Sequence, residues 1–569
     1  MPIPHTETEP TMGTATPSPQ ATQATQATRW RAWRHRPRRH LYLDARAGRG
    51  VTNGGESFTC APGLPLSELA WALPTQIEAI YLTGPLPEAP QVAREDGELY
   101  GPFNSWIAQV QPCIEQMHLD SGTMHDEVFV RLRRLDGSFV DLRTVAAWFG
   151  TNTCTPDEAH DALRLVTRLL QGQYGWQDVC LLNTPAGTGL ELWHSSIPTM
   201  RESGWKQSTA YPILPEDVRT LIHQTSGQGR FEFLPAPPSG VAPQLVCMDG
   251  RLAYGAPALN ELGVGPATHD TLPVYEGFTP ARYRVRFRIP DAWAHVGLFM
   301  VPDYRTPEAG GPHRDGKRHW YFPATPGTVG KTWADAAEMR IAYAPFPHAC
   351  EMCGAYYRAN DGERCPAHGW DLHIEERIVF TKGRPLRTWV ERLIAAREAC
   401  GEDSQVHALA RAAVRNILLH TIGAFHGTHR PITRIAGLAD VPMCTPARTV
   451  LSPGGDELHL WDEPGLAPKF PDYQRPEWSA QVWARTRARL LLHRDYDTGR
   501  FTGALTLPYE DVAAFRLDAM YLTCDPGWPD SGRPGTLRVK GSLASPVPWP
   551  RDEGDLSAVK AQLEGGKGK

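Results

Sequence analysis

Apolar and polar positions change period several times along this chain, and each change marks a different kind of element. The alternation Tyr283-Arg-Val-Arg-Phe-Arg-Ile289 predicts a strand with one apolar and one basic face. Leu41-Tyr-Leu43-Asp44 reads as a short strand that ends in a carboxylate, and Val179-Cys-Leu-Leu182 as a further strand. Val128-Phe-Val-Arg-Leu132 and Ser138-Phe-Val-Asp141 flank Asp136-Gly137, which predicts a hairpin closed by an Asp-Gly turn. Thr155-Pro156-Asp157-Glu158 offers a capping threonine and a first-turn proline, so a helix should run from there through Ala162 and Leu163 to Leu169 and Leu170. Helical spacing also covers Trp333 to about Tyr343, and roughly 385–400, 405–422 and 478–493. No internal repeat stands out.

These elements divide the chain into three parts. Residues 1–40 form a tail rich in Thr, Ala, Gln and Pro, with too few apolar groups to support an ordered core. It ends in six arginines interleaved with Trp30 and Trp33, a composition suited to phosphate contact and base stacking, or to a solvated basic linker. An α/β region over 41–235 follows. The Pro and Gly-rich stretch Leu234-Pro-Ala-Pro-Pro-Ser-Gly240 then marks the boundary to a larger unit, 236–569.

Composition narrows the function less than the pattern does. At 569 residues the chain can bury several cores, and 41% hydrophobic with 21% charged residues is ordinary for a soluble protein. A net charge of −5 gives no global signal for nucleic acid, so any anion-binding surface has to be local. No apolar run has the length to cross a bilayer, and the first residues lack the apolar stretch of a secretory signal, so no membrane partner is expected. Eleven cysteines, spread thinly apart from one cluster, do not form a disulfide framework and fit a reducing cytoplasm.

That cluster is Cys350-x2-Cys353-x11-Cys365-x2-His368, with His348 and His373 as nearby substitutes for the imidazole. Three thiolates and one imidazole would close a tetrahedral Zn²⁺ with no open position, so the expectation is a structural, zinc-ribbon-like insertion over 346–370. Gly327-Thr-Val-Gly330-Lys331-Thr332 matches only the end of a phosphate-binding loop. Thr325 stands where the pattern needs glycine and Pro326 stiffens the turn, so we read it as coincidence.

Three further segments carry chemistry in a fixed order: Met248-Asp249-Gly250-Arg251-Leu252-Ala253-Tyr254, then Arg411 to Gly423, then Phe515-Arg516-Leu517-Asp518-Ala519-Met520-Tyr521. Two aspartates brought together from distant strands can hold a pair of divalent metals. Arginines spaced i, i+4 share a helix face and can grip a triphosphate. From about residue 240 onward the chain resembles family B DNA polymerases, specifically the small protein-primed kind of phages and linear plasmids. Their motif A, D-x-x-S-L-Y-P, is similar to Asp249-Gly-Arg-Leu-Ala-Tyr254-Gly. Their motif B, K-x3-N-S-x-Y-G with a lysine one turn earlier, is similar to Arg411 and Arg415-Asn-Ile-Leu-Leu419-His420-Thr421-Ile422-Gly423. Their motif C, Y-x-D-T-D, aligns Asp518 with the metal-binding aspartate and Arg516 with the preceding one. Gly327 to Met339 and Ile374 to Phe380 resemble the palm segment between motifs A and B. Leu537-Arg-Val-Lys540-Gly541 resembles the later lysine motif.

The resemblance implies an RNase H-like exonuclease-type domain over 41–235, then a palm with helical fingers at about 381–425. It implies a template-directed DNA polymerase that transfers a nucleotide from a dNTP to a 3′-hydroxyl. DNA template and primer would be partners, and a terminal protein the primer of a phage- or plasmid-encoded mobile element. Asp249 and Asp518 would hold Mg²⁺ or Mn²⁺; Tyr254, Arg411, Arg415 and Lys540 would bind the nucleotide. The exonuclease motifs are degenerate: Asp44 begins one, but Arg46 replaces its glutamate, and Asp161 lacks its tyrosine partner. The chain departs from the family at motif B, which lacks its Asn-Ser pair and its tyrosine, and at motif C, which lacks its first aspartate. A polymerase-like protein that binds DNA without synthesis is the rival expectation.

Overall fold

The structure is a computed structural model. It describes residues 36–64, 66–85, 114–118, 129–134, 137–197, 199–201, 207–209, 211–227, 230–271, 275–277, 279–291, 293–299, 301–302, 321–322, 326–343, 348–349, 356–357, 371–427, 432–436, 441, 447–451, 457–463, 473–495 and 497–565. The four zinc-spaced residues Cys350, Cys353, Cys365 and His368, and the Trp30 and Trp33 tail, lie outside them. The architecture is mixed α/β. None of the described helices is long and apolar enough to cross a membrane.

At the centre lies a five-stranded antiparallel sheet in the order Arg230–Phe233, Val512–Leu517, Ala519–Leu522, Leu245–Gly250, Leu537–Leu543. Its inner strands are continuous apolar runs. Leu245 to Met248 and Val512 to Phe515 are buried at every position, so both faces of the sheet are covered. The sheet shares a core with the strand Ala281–Arg288 and with the C-terminal helix Glu553–Gly565, which contributes Leu556, Val559 and Leu563.

A second antiparallel sheet runs Leu262–Asp270, Asp371–Gly383, Ala281–Arg288, Val329–Asp335. The expected alternation is present: Tyr283, Val285 and Phe287 face the core, while Arg286 and Arg288 face outward. The segment 374–380 belongs here, in a sheet of its own, rather than beside the strands that carry Asp249 and Asp518. Trp333 lies on a strand, not in the helix expected from 333. That helix is Ala336–Tyr343, because Asp335 Oδ1 accepts from Ala337 N at 2.9 Å and Glu338 accepts from Asp335 N at 3.0 Å, a reciprocal cap that fixes its start. Lys331 is likewise in a strand and ion-paired to Glu375 at 2.5 Å, so the Gly330-Lys331-Thr332 end of the fragment is not a phosphate loop.

The helices pack on one another, with Pro156–Tyr174 against the N-terminal sheet and Pro476–Leu491 against the second antiparallel sheet. Pro156–Tyr174 begins with the expected Thr155 cap and a full capping box with Glu158. Arg387–Glu398, Gln405–Phe425 and Pro476–Leu491 surround an aromatic cluster in which Trp193 meets Phe425 at 5.1 Å and Trp478 at 5.2 Å between ring centroids. Gln405–Phe425 lies very close to Pro185–Ser196. A Cβ on Gly189 would fall 1.8 Å from Thr421 Oγ1, so only glycine permits the approach. Asn416 also donates to the Trp148 carbonyl at 3.0 Å. The long helix is therefore held from the N-terminal side.

The N-terminal region carries a ten-stranded mixed sheet. His40–Asp44, Ala79–Leu82 and Phe139–Thr144 are its parallel core. The expected hairpin is present as Phe129–Arg133 against Phe139–Thr144. Residues 179–182 form no strand. Val179 O instead accepts from the Gln171 side chain, and Leu182 N donates to Thr188 Oγ1, so side chains satisfy a backbone that a ladder was expected to pair. Two boundaries also move. Arg230–Phe233 belongs to the central sheet, although 235 was the expected boundary. Ile432–Ala436, Arg448–Leu451 and Glu457–Glu463, from the far half of the chain, extend the N-terminal sheet through Ile114–His118. Long-range strand pairing of this kind leaves no local signature.

Candidate active site

The two aspartates come together through β register. Asp249 is the fifth residue of Leu245–Gly250 and faces Ala519 across one ladder. Asp518 precedes Ala519 in a two-residue turn, since Arg516 pairs with Ala519 and only Leu517 and Asp518 lie between them. Gly250 N donates to Asp518 O at 3.2 Å, which ties the turn to the neighbouring strand. Asp249 is 7% exposed.

The backbone on both sides is strained. Among the described residues, the non-glycine positions with positive φ are Leu252, at 42°, and Leu517, at 59°. One follows Asp249 by three residues and the other directly precedes Asp518. A leucine in this region carries a steric cost that the surrounding structure has to offset, and such positions cluster at functional sites. Around Leu252 that support is visible. Arg251 N donates to Thr536 O at 2.9 Å, Gly535 N to Arg251 O at 2.6 Å, and Gly255 N to Leu252 O at 2.7 Å. The Arg251 guanidinium donates to both oxygens of Asp530, at 2.8 and 2.6 Å, and so clamps the 523–536 loop to the turn after Asp249.

Electrostatics shows Asp249 acting on Asp518. Burial pushes the Asp518 carboxyl well above the ordinary range, and the like charge of Asp249 pushes it further, against Arg415 and Lys540. The neighbouring Cys247 thiol is raised to about 11 by burial and by Asp249, so it stays protonated near neutrality. Lys540 owes its place to a β-bulge. Cys247 faces Gly541 and Met248 faces Val539, which leaves Lys540 as the extra residue.

Opposite the carboxylates stands a group of arginines. Arg415 and Arg411 lie one turn apart on Gln405–Phe425, and Arg411 is paired with Glu402 at 2.7 Å. Arg397, on the last turn of Arg387–Glu398, has its pKa depressed by burial and by the like charges of Arg411, Arg415 and Arg538. Four guanidinium groups within electrostatic reach make a site for a multiply charged anion. Arg397 and Arg538 were not singled out from the sequence. Arg538 lies two residues before Lys540, close enough to have been a candidate. Arg397 reaches the cluster only because its helix turns back at 399–404.

Other sequence candidates fall elsewhere. Tyr254 is 6% exposed and belongs to the helical core cluster. Arg516 is buried and ion-paired to Glu553 at 2.9 Å, so the motif C position that lacks its aspartate supports the C-terminal helix instead. Asp44 accepts from Ala47 N at 2.9 Å within its own turn, and Asp161 is 57% exposed beside His160 at 3.0 Å. Among the described residues no group of three or more His, Cys, Asp or Glu side chains could hold a metal ion, so Asp249 and Asp518 are a pair without a third.

No family model matches the chain, and no curated protein matches it. Among solved structures it is similar to Phi29 DNA polymerase in an orthorhombic crystal form, with 10% identity and a TM-score of 0.47 over 89% of this chain and 85% of that one. It is also similar to Phi29 DNA polymerase complexed with primer-template DNA and incoming nucleotide substrates, with 10% identity and a TM-score of 0.46 over 89% and 86%. Likeness at this level leaves function to be argued from the site itself.

Proposed function

We propose that the chain is a template-directed DNA polymerase that transfers nucleotides from dNTPs to a 3′-hydroxyl. The observation that carries this reading is the juxtaposition, by strand register, of Asp249 and Asp518 within reach of the arginine cluster of Arg397, Arg411 and Arg415. The donor set suits a hard divalent cation. Burial, and then the like charge of Asp249, raises the Asp518 carboxyl, and Mg²⁺ typically binds through one or two carboxylates together with substrate phosphates. Bound there, Mg²⁺ or Mn²⁺ would supply Lewis-acid activation of the attacking hydroxyl and charge neutralisation at the leaving phosphates.

The chain's own residues do the rest. Asp249 and Asp518 would hold the cation. Arg415 and Arg411 bind the β and γ phosphates, with Arg397 adding charge behind them, and fix the triphosphate for in-line attack. Glu402 releases Arg411 when the anion arrives. Lys540 neutralises phosphate charge at the opposite edge. Tyr254 acts from within the core, by holding the turn on which the sugar would rest. A structural Zn²⁺ on Cys350, Cys353, Cys365 and His368, priming by a terminal protein, and service to a mobile element belong to the same reading, on sequence spacing and family resemblance alone.

A second reading has its own support. Arg516 stands in place of a carboxylate, and Arg538 stands against Asp249 at 3.8 Å. The first removes a carboxylate and the second sets a positive charge against another, as expected of a polymerase-like protein that binds DNA without synthesis. Extension of a primed template with Mg²⁺ or Mn²⁺ separates the two. Activity that disappears in Asp249→Ala and in Asp518→Ala establishes the polymerase. Tight DNA binding without extension establishes the binding protein.

A further inference from the structure

Asp249 has a neighbour that this reading leaves unused. Leu537–Leu543 runs beside Leu245–Gly250, and the register sets Arg538 directly opposite Asp249. Directly opposed side chains on adjacent strands interact, and here an Arg538 Nη stands 3.8 Å from Asp249 Oδ2. Arg538 Nε is buried and makes no hydrogen bond. The guanidinium is therefore only half engaged, although its planar fork could grip a carboxylate at two points. Its charge is also felt by Arg397, together with those of Arg411 and Arg415. It is therefore within electrostatic reach of both Asp249 and the other arginines.

Resting on the carboxylate-pair reading above, we infer that Arg538 is a built-in counter-ion of Asp249, which a divalent cation must displace and which then joins the arginines that face an incoming polyphosphate. A guanidinium and a divalent cation beside one carboxylate repel each other, which favours exchange of one for the other. Cation and polyphosphate binding are thereby coupled: entry of the first releases a ligand for the second. Arg538 is 41% exposed, so solvent screens the pair and the coupling is modest.

The test is Mn²⁺ binding by electron paramagnetic resonance of the free ion, in the full chain without nucleotide or DNA. Arg538→Gln should bind Mn²⁺ about fivefold tighter than wild type, the size expected for loss of a partly screened charge. Arg538→Lys should stay near wild type. Adding inorganic triphosphate should tighten Mn²⁺ binding more in wild type than in Arg538→Gln. If Arg538→Gln melts well below wild type, Arg538→Met keeps the apolar stem and serves in its place. Binding in the neutral variant that equals or falls below wild type, while Asp249→Asn still abolishes it, overturns the counter-ion and leaves the carboxylate pair standing. Mn²⁺ binding that survives Asp249→Asn and Asp518→Asn, or no saturable binding in wild type, overturns both.

Discussion

Two pairs of aspartates can be drawn from this chain, and the fold treats them differently. Asp249 and Asp518 are 269 positions apart in sequence, yet adjacent strands bring them together, partly buried, beside two strained leucines and opposite four arginines. Asp44 and Asp161 are closer in sequence and lie in one region, but each is satisfied locally: Asp44 by the amide of Ala47, Asp161 by solvent and His160. Forcing like charges together costs stability, and nothing in the packing of the central sheet requires it. Such an arrangement is expected where the charges have work to do. The N-terminal pair is engaged within a turn and at the surface.

The largest expected effect sets the two pairs side by side. Asp249→Ala or Asp518→Ala should lower dNTP incorporation by at least about 10³-fold, whereas Asp44→Ala and Asp161→Ala should leave it within about twofold. Equal losses from both pairs would erase the contrast.

The next effect sharpens the cationic half of the site. Arg415→Ala should raise the KM for dNTP and lower kcat/KM by about 10²-fold, since a charge-assisted contact to the triphosphate is lost. Arg387→Ala, an exposed position on the neighbouring helix paired with Glu391, is the control and should change neither.

The clamp beneath Asp249 is a third test. Asp530→Asn weakens a bidentate ion pair that holds the Leu252 turn, so kcat should fall about tenfold with KM for dNTP little changed. The exchanged pair Arg251→Asp with Asp530→Arg should recover part of that loss. A purely structural role would show as a lower melting temperature without recovery of kcat.

The smallest effect is thermodynamic. The Asp518 carboxyl titrates above its usual range in the folded chain, so folding takes up a proton there. Its contribution to stability is fully present below the ordinary carboxylate pKa and is lost as pH rises through the raised value. Without added divalent cation, Asp518→Asn should therefore melt about 2 °C above wild type at pH 8, with the gap closing toward pH 4. The same substitution at Asp161 should show no such trend.

Much of the local structure was legible before the fold was known. The Thr155 cap, the alternating arginines of 284–288 and the helices about 387–398, 405–425 and 476–491 follow from side-chain period and capping chemistry, which act over a few residues. What was misread is equally instructive. Residues 179–182 look like a strand because they are apolar, but their backbone is satisfied by Gln171 and Thr188. Trp333 looks helical, but Asp335 and Glu338 start the helix three residues later. The strands at 432–463 carried no sign that they join the N-terminal sheet.

By itself the sequence determined which residues could do chemistry: two aspartates, an i, i+4 arginine pair and a lysine in a fixed order, with nothing in length or charge to exclude nucleotidyl transfer. Tertiary structure decided which of them meet. Strand register put Asp249 beside the turn that carries Asp518, and a bulge swung Lys540 toward them. The same register set Arg538 against Asp249, and a helical hairpin returned Arg397 to the cluster. The physical reason is that period and capping are written in neighbouring residues, whereas register and packing depend on segments hundreds of positions apart, whose pairing is chosen by the total free energy of the fold.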